Sequence, residues 1–452
     1  MHHLASKRFA VLLFLGAAAL VPAGVRANGF ALDIQGLFSN GTAGAGAAAA
    51  HDPAGQFANP AILASLEGTQ VVAGGMLIAA RAPYRDGGST LLGGAVPLPG
   101  ANADGAKGGF SPWLFASHRI SPALAIGFQL TAPFGTATDY GRGSRFYGRY
   151  QGVESKIESL AFGPAVAWKP FERLAIGLGL EARRDSAVIG QAFDIGSICV
   201  GNALAGTDPD PATACIAAGM PPGGADGYGR FTGQGWGWTA TAGATLDPLP
   251  GTTLGVGYRH ESTSRVRGHQ SFDAASAAIF ATTGKPRAGM DLPLPDFLTV
   301  SASQRLGDSV TLLAAFQYTF WSRFDTIDLV PADSANGLAV SSKQGFRNAF
   351  RLSGAAAWQV LPALELFGGV AYEQSPITGR YRQPGLPETD SLIAGLGAEA
   401  RLWHGITFGA VYQRVQMLRT SRIDQTGQTG DRVVGTVKGS ANLGVVQLGW
   451  RH

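Results

Sequence analysis

Large apolar residues alternate with small or polar ones along most of this chain, from about residue 120 to its last residues. In one stretch every second residue from Leu124 to Leu130 is large and apolar, and the residues between them are Ala, Gly and Gln. A period of two is typical of β-strands, because successive side chains point to opposite faces of a sheet. The pattern therefore predicts strands with one apolar face and one small or polar face.

The alternating segments predict fourteen β-strands. Their predicted bounds are 69–80, 108–118, 122–132, 153–168, 172–187, 231–246, 252–268, 295–306, 308–324, 344–360, 363–374, 388–402, 405–418 and 437–450. Six short connections alternate with seven long ones along this series. An even strand number with this rhythm is typical of a bacterial outer-membrane barrel, whose short turns face the periplasm. The predicted fold class is all-β, a closed antiparallel transmembrane barrel of fourteen strands.

The composition favours a membrane barrel over a water-soluble sheet. Charged residues make up 15% of the 452 residues, whereas about 25% is usual in soluble proteins. No apolar run of about 20 residues follows residue 27, so helical membrane spans are excluded. The polar strand faces contain mainly Gly, Ala, Thr and Ser, which suits a crowded barrel interior. A large soluble β-sandwich or a multidomain α/β enzyme is the alternative interpretation.

The first residues have the pattern of an export signal. Lys7 and Arg8 precede an apolar core from Phe9 to Val21, and small residues around Ala27 suit signal peptidase. The pattern predicts a signal peptide over residues 1–27 and export from the cytoplasm. A single-span anchor is the alternative, although the apolar core is short for one.

The stretch from Asn28 to Leu66 reads neither as a strand nor as an ordinary helix. It is rich in Gly and Ala, which permit close backbone packing inside a barrel. We therefore predict a plug over residues 28–67, held within a barrel formed by residues 68–452. The first apolar side chains of the plug form either one wall of a ligand pocket or a packing surface against the lumen. These residues are Phe30, Leu32, Ile34, Leu37 and Phe38. Asn59, Pro60 and Ala61 are predicted to form a turn of the plug.

Two cysteines, Cys199 and Cys215, lie 16 positions apart in a stretch rich in Gly, Pro, Asp and Ala. In an exported protein this arrangement favours a disulfide within a loop, with two free thiols as the alternative. No further Cys and no His lies near them in the sequence, so we predict no metal site there.

Eight charged residues are predicted to share the inward face of the strands. They are Glu181, Arg183, Arg259, Arg305, Glu365, Glu373, Glu399 and Arg401. Their mixed signs predict ion-pair networks that hold the plug, although one arginine could instead bind a carboxylate headgroup.

No group of residues has the spacing of a catalytic motif, and we predict neither enzymatic activity nor a cofactor. The run GTAGAG at Gly41–Gly46 resembles a phosphate-binding loop, but it does not join a strand to a helix. The net charge of +4 is small for this length and argues against a nucleic-acid partner.

Several motifs, taken in order, resemble the FadL/TodX family of outer-membrane transporters of long-chain fatty acids and hydrocarbons. The small-residue run followed by Asn59-Pro60-Ala61 is similar to the N-terminal hatch of that family. Further similar motifs are Ala132-Pro133-Phe134-Gly135, Gly148-Arg149-Tyr150, Leu294-Pro295-Asp296, Trp321-Ser322, Ala371–Pro376 and Leu386–Asp390. The resemblance covers essentially the whole chain after the export signal.

The resemblance implies a fourteen-stranded barrel closed by an N-terminal hatch. It implies that outer loops capture an apolar ligand, that the ligand binds beside the hatch, and that it leaves sideways through the wall at the third strand. That strand corresponds here to Pro122–Pro133. The resemblance adds Phe134 and Tyr150 to the candidate ligand-binding residues.

The function predicted from the sequence is passive uptake of hydrophobic molecules across the bacterial outer membrane. The expected partners are a hydrophobic small molecule, outer-membrane lipid and the barrel-assembly machinery, with the protein acting as a monomer. A general diffusion porin for polar solutes and an outer-membrane hydrolase are the alternatives. Apolar residues of the long loops, among them Leu292 and Leu294, are predicted to form an exposed landing groove for the ligand.

Overall fold

The computed structural model describes residues 29–49, 51–204, 211–427 and 430–452. The predicted signal peptide, residues 1–27, lies outside the described residues, as does Asn28. Among the residues described, no helix has the length and apolar character needed to cross a membrane.

Fourteen antiparallel strands form one closed ring, which confirms the predicted fold class. In chain order they are β1 (Thr69–Arg81), β2 (Gly109–Ser121), β3 (Leu124–Thr131), β4 (Glu154–Phe171), β5 (Leu174–Asp194), β6 (Asp226–Leu249), β7 (Thr252–Glu261), β8 (Phe297–Leu306), β9 (Val310–Thr319), β10 (Ala349–Leu361), β11 (Leu364–Glu373), β12 (Ser391–Arg401), β13 (Ile406–Met417) and β14 (Ser440–Arg451). Each strand pairs with its neighbours in sequence, and β1 closes the ring by pairing with β14. A closed ring satisfies the backbone hydrogen bonds that lipid could not satisfy.

The period of two places apolar side chains outside the ring and polar ones inside it. On β5, Leu178 and Leu180 are 62% and 58% exposed, whereas Glu181 and Arg183 are buried. Exposed tryptophans such as Trp168 near the short turns suit a position at the membrane interface.

The observed strand ends differ from the predicted ones mainly where strands continue into the long loops. β5 and β6 pair as far as Asp194↔Asp226, so their hairpin extends beyond the predicted ends at 187 and 231. The predicted strand 252–268 is interrupted, because β7 ends at Glu261 and a separate loop strand begins at Ser264. The alternating pattern continues into these loop strands and therefore does not mark where the membrane segment ends.

The seven long loops contain their own short elements. Their strands are Pro83–Asp86, Thr90–Leu91, Val96–Pro97, Ala103–Asp104, Gly135–Asp139, Ser264–Phe272, Arg287–Leu292, Thr326–Pro331, Val340–Lys343, Ser421–Thr426 and Arg432–Val437. Three 3-10 helices, Leu92–Gly94, Trp321–Arg323 and Gly379–Tyr381, also lie in the loops. Six of the short strands, from the loops after β1 and β13, form a second small sheet.

The plug consists of short helices separated by turns. Helix α1 (Leu37–Gly41) is followed by 3-10 helices at Ala45–Ala48, Pro53–Phe57 and Pro60–Ser65. Asp52 and Asn59 cap the last two helices, because their side chains accept hydrogen bonds from the amides of Ala54 and Ala61 at 2.7 and 3.0 Å. A proline at the first position of each helix suits this capping.

The loop between β5 and β6 contains the two cysteines. Helices α2 (Ile195–Leu204) and α3 (Pro211–Ala217) lie in this loop, and α4 (Ala274–Ile279) lies in the loop after β7. A disulfide joins Cys199 to Cys215, as predicted, with 6.1 Å between their Cα atoms. The bond links α2 to α3.

Candidate functional site

The wall of the barrel contacts the plug closely where strand residues have no side chain. At Gly395 of β12, an added Cβ would lie 2.5 Å from the backbone oxygen of Asn40. At Gly257 of β7, it would overlap the backbone oxygen of Ala58. The glycines on the inward face therefore let the plug backbone lie directly against the strands.

The beginning of the plug pairs with the segment that follows β3. Ala31 forms an isolated antiparallel bridge with Phe134. The amide of Leu32 donates to the carbonyl of Pro133 at 2.7 Å, and the amide of Gly135 donates to the carbonyl of Phe30 at 2.9 Å. Residues 132–134 have therefore left the wall and joined the plug.

Aromatic rings enclose this junction. Ring centroids lie 4.9 Å apart for Phe30 and Trp321, 5.1 Å for Phe30 and Phe324, and 6.1 Å for Phe30 and Phe134. The other two rings, Phe297 and Phe346, contact Phe134 and Trp321. We call these six side chains the aromatic compartment. Leu292 and Leu294, predicted to be exposed in the loops, are instead fully buried in the same cluster, because the loops fold back over it.

The structure does not bring the seven predicted ligand-binding residues together. Phe30 and Phe134 lie in the aromatic compartment. Leu32, Ile34, Leu37 and Phe38 pack in a second cluster with wall residues such as Phe367 and Val411. Phe38 also stacks on the ring of His51, with centroids 4.3 Å apart.

Tyr150 lies apart from the other predicted residues. Its hydroxyl donates to Asp226 and accepts a hydrogen bond from Arg149 at 2.8 Å, in a cluster with Leu91 and Tyr228. Burial raises the pKa of Tyr150 far above its usual range, so the phenol stays neutral. These contacts indicate a structural role between loops.

Four rings of the compartment were not predicted from the sequence to belong to a ligand site: Trp321, Phe324, Phe297 and Phe346. The available signal was the run Phe320–Phe324, which contains three aromatic residues at the end of β9. Trp321 is fully buried. An aromatic cluster immediately after a strand could have been interpreted as a core of the loops.

The wall is interrupted between β2 and β3. Pairing between these strands runs from Ser121↔Leu124 to Leu114↔Leu130, and β2 continues to Gly109 beyond it. On its other side β3 pairs with β4 up to Thr131↔Ala161, and pairing resumes at Gly135↔Glu158. Three residues, 132–134, thus face two on β4, which is a bulge.

Two prolines lie at this interruption. Pro133 is within the bulge, and Pro112 is in the part of β2 that extends beyond its recorded pairs with β3. Proline cannot donate a ladder hydrogen bond and is therefore confined to strand edges and bulges. The predicted third strand, 122–132, is correspondingly short in the structure, with eight residues in β3.

Buried ion pairs connect the plug and the wall. Arg351 on β10 donates to Asp33 of the plug at 2.9 Å and to Glu373 on β11 at 3.0 Å. A second network on β5 and β7 joins Glu181, Arg183, Asp185, Arg259 and Glu261. These contacts agree with the predicted networks.

Two of the eight charged residues lie at the open periplasmic end of the barrel rather than in a buried network. Arg305 and Arg401 are exposed, because they are near the ends of β8 and β12 beside the short turns. The inward face there opens to the periplasm.

A charged contact also fixes the plug at the periplasmic end. His51 lies 2.7 Å from Glu365, and Asp52 accepts a hydrogen bond from Gln447 at 2.8 Å. Burial by itself would lower the pKa of His51, but the charge of Glu399 and hydrogen bonds to Asp52 and Glu365 raise it to about 10. A protonated His51 therefore forms a salt bridge between plug and wall at neutral pH.

The same residues form a cluster of possible metal ligands. One ligand atom each from His51, Asp52 and Glu399 lie within 4.8 Å of one another. Asp52 already accepts hydrogen bonds from Ala54 and Gln447, and His51 is paired with Glu365. These contacts engage Asp52 and the Nε2 atom of His51 within the protein.

A cavity of about 600 Å³ lies beneath the plug on the side of the short turns. Phe38, His51 and Ile62 line its plug side, and Arg173 and Arg305 line its opposite side. The plug therefore separates this periplasmic vestibule from the aromatic compartment.

Comparison with known proteins agrees with this architecture. Residues 18–451 match the family described as outer membrane protein transport protein (OMPP1/FadL/TodX). The chain belongs to this family. It is accordingly a protein of the bacterial outer membrane, as predicted.

Individual members of the family resemble the chain over most of its length. The long-chain fatty acid transport protein of Escherichia coli (strain K12) is 24% identical over 399 residues, covering 84% of this chain and 86% of that protein. The crystal structure of a Pseudomonas aeruginosa FadL homologue matches 94% of this chain and 99% of its own, with a TM-score of 0.82 and 19% identity. The Ralstonia pickettii toluene transporter TbuX matches 93% of this chain and 99% of its own, with a TM-score of 0.64 and 20% identity. At these identities the two structures support the fold alone.

Proposed function

We propose that this protein carries out passive uptake of hydrophobic molecules across the outer membrane. The ligand class includes long-chain fatty acids and monoaromatic hydrocarbons, because relatives are named for a long-chain fatty acid and for toluene. The ligand enters through the outer loops, binds beside the plug in the aromatic compartment, and leaves sideways between β2 and β3.

One observation carries this proposal: the aromatic compartment and the interruption of the wall share a residue. Phe134 contributes a ring to the compartment and belongs to the three-residue bulge that takes the chain out of the wall. A molecule that displaces the ring of Phe134 is beside the part of β2 that pairs with β1 but has no partner on β3. Burial of apolar surface at about 25 cal/mol per Å² supplies the affinity.

The proposal needs no cofactor, energy source or catalytic residue, and it treats the protein as a monomer. A hydrophobic molecule that leaves sideways enters the outer-membrane lipid directly, so lipid is the acceptor. The concentration gradient drives the net flux. The barrel-assembly machinery is required only for insertion.

Deletion of Pro133 tests the exit route. Removing one residue from 132–134 equalises the residue count between Thr131↔Ala161 and Gly135↔Glu158, so β3 can continue straight beside β4. We expect the deletion to lower toluene uptake by proteoliposomes about tenfold or more, while the barrel still folds. Unchanged uptake would contradict exit at this point.

Conductance measurements separate this function from that of a porin. A plugged barrel should give no large steady ion current in a planar bilayer, and proteoliposomes should take up oleate or toluene faster than empty liposomes. Large steady currents without faster uptake would overturn the proposal. Glu172→Leu, which alters an exposed acid in a short turn, serves as a folded control for the deletion.

A further inference from the structure

The loop between β11 and β12 places a buried acid beside the first residues of the plug. Glu388 is 2% exposed. Its Oε1 atom accepts hydrogen bonds from the amide of Gly29 at 2.9 Å and from the hydroxyl of Ser375 at 2.8 Å. Its Oε2 atom is buried and has no hydrogen-bond partner among the described residues. A buried polar atom without a partner destabilises a protein, so this one requires an explanation.

The charge of Arg382 lowers the pKa of Glu388 but does not offset the effect of burial. Arg382 donates from Nε to the backbone carbonyl of Glu388 at 3.0 Å and from Nη2 to the carbonyl of Ile377 at 3.2 Å. Burial raises the pKa of Glu388 well above the usual range of a glutamate, and the nearby charge of Glu373 acts in the same direction. Burial therefore favours the protonated carboxylic acid form of Glu388, which has one O–H donor.

Glu388 lies at the edge of the aromatic compartment. Gly29, to which it is bonded, precedes Phe30, and a Cβ on Gly29 would lie 2.7 Å from the indole of Trp321. Ile377 and Leu386, from the same loop as Glu388, also pack in the cluster that contains these rings. The acid is thus held where an otherwise apolar site needs an orienting polar group.

We infer that Glu388 is a polar subsite of the aromatic compartment, where its carboxyl group binds a hydrogen-bond acceptor, such as a carbonyl or hydroxyl oxygen, on an otherwise apolar ligand. The inference rests on the proposed uptake function. It narrows the ligand class from hydrophobic molecules in general to those that carry a hydrogen-bond acceptor. A ligand of this kind accepts a hydrogen bond from the buried carboxyl group, whereas a pure hydrocarbon cannot accept one.

Two probes of nearly the same shape test the subsite. Acetophenone carries a carbonyl group where ethylbenzene carries a methylene group. Titration calorimetry on the purified full-length mature protein gives the dissociation constant of each. We expect E388L to weaken acetophenone binding about three- to tenfold, the range for loss of one neutral hydrogen bond, and to change ethylbenzene binding less than twofold. E388Q keeps a donor in place and should retain most of the preference for acetophenone.

Controls distinguish this role from a purely structural one. If Glu388 only anchored the plug through Gly29, E388L would change the affinities of both probes by the same factor, and that result would overturn the subsite. E172L alters an exposed acid in a periplasmic turn and should change neither affinity.

A measurement on the unmodified protein covers the case in which E388L does not assemble. The infrared carbonyl band of bound acetophenone should shift to lower frequency than in hexane, and an unshifted band would contradict the inference. If proteoliposomes do not accelerate uptake of either probe, the proposed uptake function fails. If uptake is accelerated but the affinity ratio is insensitive to Glu388, only the subsite fails.

Discussion

The outer end of the plug, Gly29–Ile34, and its inner part, Leu37–Ser65, are held in different ways. Rings from the loops surround the outer end, and one buried ion pair, Asp33–Arg351, fixes it to the wall. The inner part lies against strand glycines and receives side-chain hydrogen bonds on its carbonyls, for example from Gln413 to Asn40 at 2.8 Å. Apolar contacts can be replaced by an apolar ligand, whereas backbone contacts with a wall cannot. Under the proposed uptake function, the outer end therefore exchanges the ligand and the inner part closes the lumen.

Loss of the ion pair should have the largest effect on the outer end. Arg351→Leu removes the guanidinium that pairs with the buried carboxylates of Asp33 and Glu373, and removal of one partner of a buried ion pair destabilises a protein by about 3–5 kcal/mol. We expect hydrogen exchange at residues 30–35 to accelerate in nanodiscs, with little change at residues 53–65. Arg401→Leu is the control: it removes an exposed arginine and should change the free energy of unfolding by no more than about 0.5 kcal/mol. Equal acceleration along the whole plug would remove the distinction between its two parts.

A side chain at a wall glycine should displace the inner part. Gly257→Val introduces atoms where the carbonyl of Ala58 lies, and overpacking of this kind destabilises proteins by about 1–3 kcal/mol. Exchange should therefore accelerate at residues 53–65, and ion conductance in planar bilayers should rise. Gly354→Val is the matched control, because no atom lies within 4 Å of a Cβ there. If the two variants behave alike, close approach to the wall does not hold the plug.

The salt bridge at His51 predicts a pH dependence confined to the inner part. Because its pKa is raised from 6.5 to about 10 in the folded protein, the stabilisation is complete below about pH 6.5 and is lost as the pH rises toward 10. Within that window the stabilisation by the salt bridge falls by about 1.4 kcal/mol per pH unit. Exchange at residues 45–57, corrected for intrinsic rates, should increase between pH 7 and 9, and His51→Gln should abolish the increase. If exchange at these residues in the wild-type protein does not depend on pH, this role of His51 is contradicted.

The smallest expected effect is loss of one helix cap. Asn59→Ala removes the acceptor for the amide of Ala61 and the donor to the carbonyl of Ala244. Caps of this type contribute about 1 kcal/mol, so exchange at residues 60–65 should accelerate about fivefold. Asn202→Ala, at an exposed residue of α2, should leave that exchange unchanged. No change in Asn59→Ala would show that wall contacts alone hold this turn.

The sequence predicted most of the barrel because the required signal is local. Alternation between Leu174 and Leu180 is visible in the sequence, and lipid outside a barrel enforces the same alternation on every strand. The short turns and the disulfide between Cys199 and Cys215 are also local features. The plug was recognisable because its Gly/Ala composition suits neither a lipid-facing strand nor an ordinary helix.

The candidate site was less predictable because its parts are distant in the sequence. Phe30 and Phe134 were named together, but Trp321 and Phe346 join them only because the long loops fold inward. Tyr150 was assigned to the site from a motif, and the fold places it in a different cluster.

The sequence by itself determined the strand number, the membrane-facing side of each strand and the presence of a plug, because each depends on residue type and spacing along the chain. Tertiary structure alone decided which rings surround Phe30, where the wall is interrupted and why the pKa of Glu388 is raised. Those features depend on register between strands and on burial, which arise only when residues far apart in the chain, such as Gly29 and Glu388, are brought into contact.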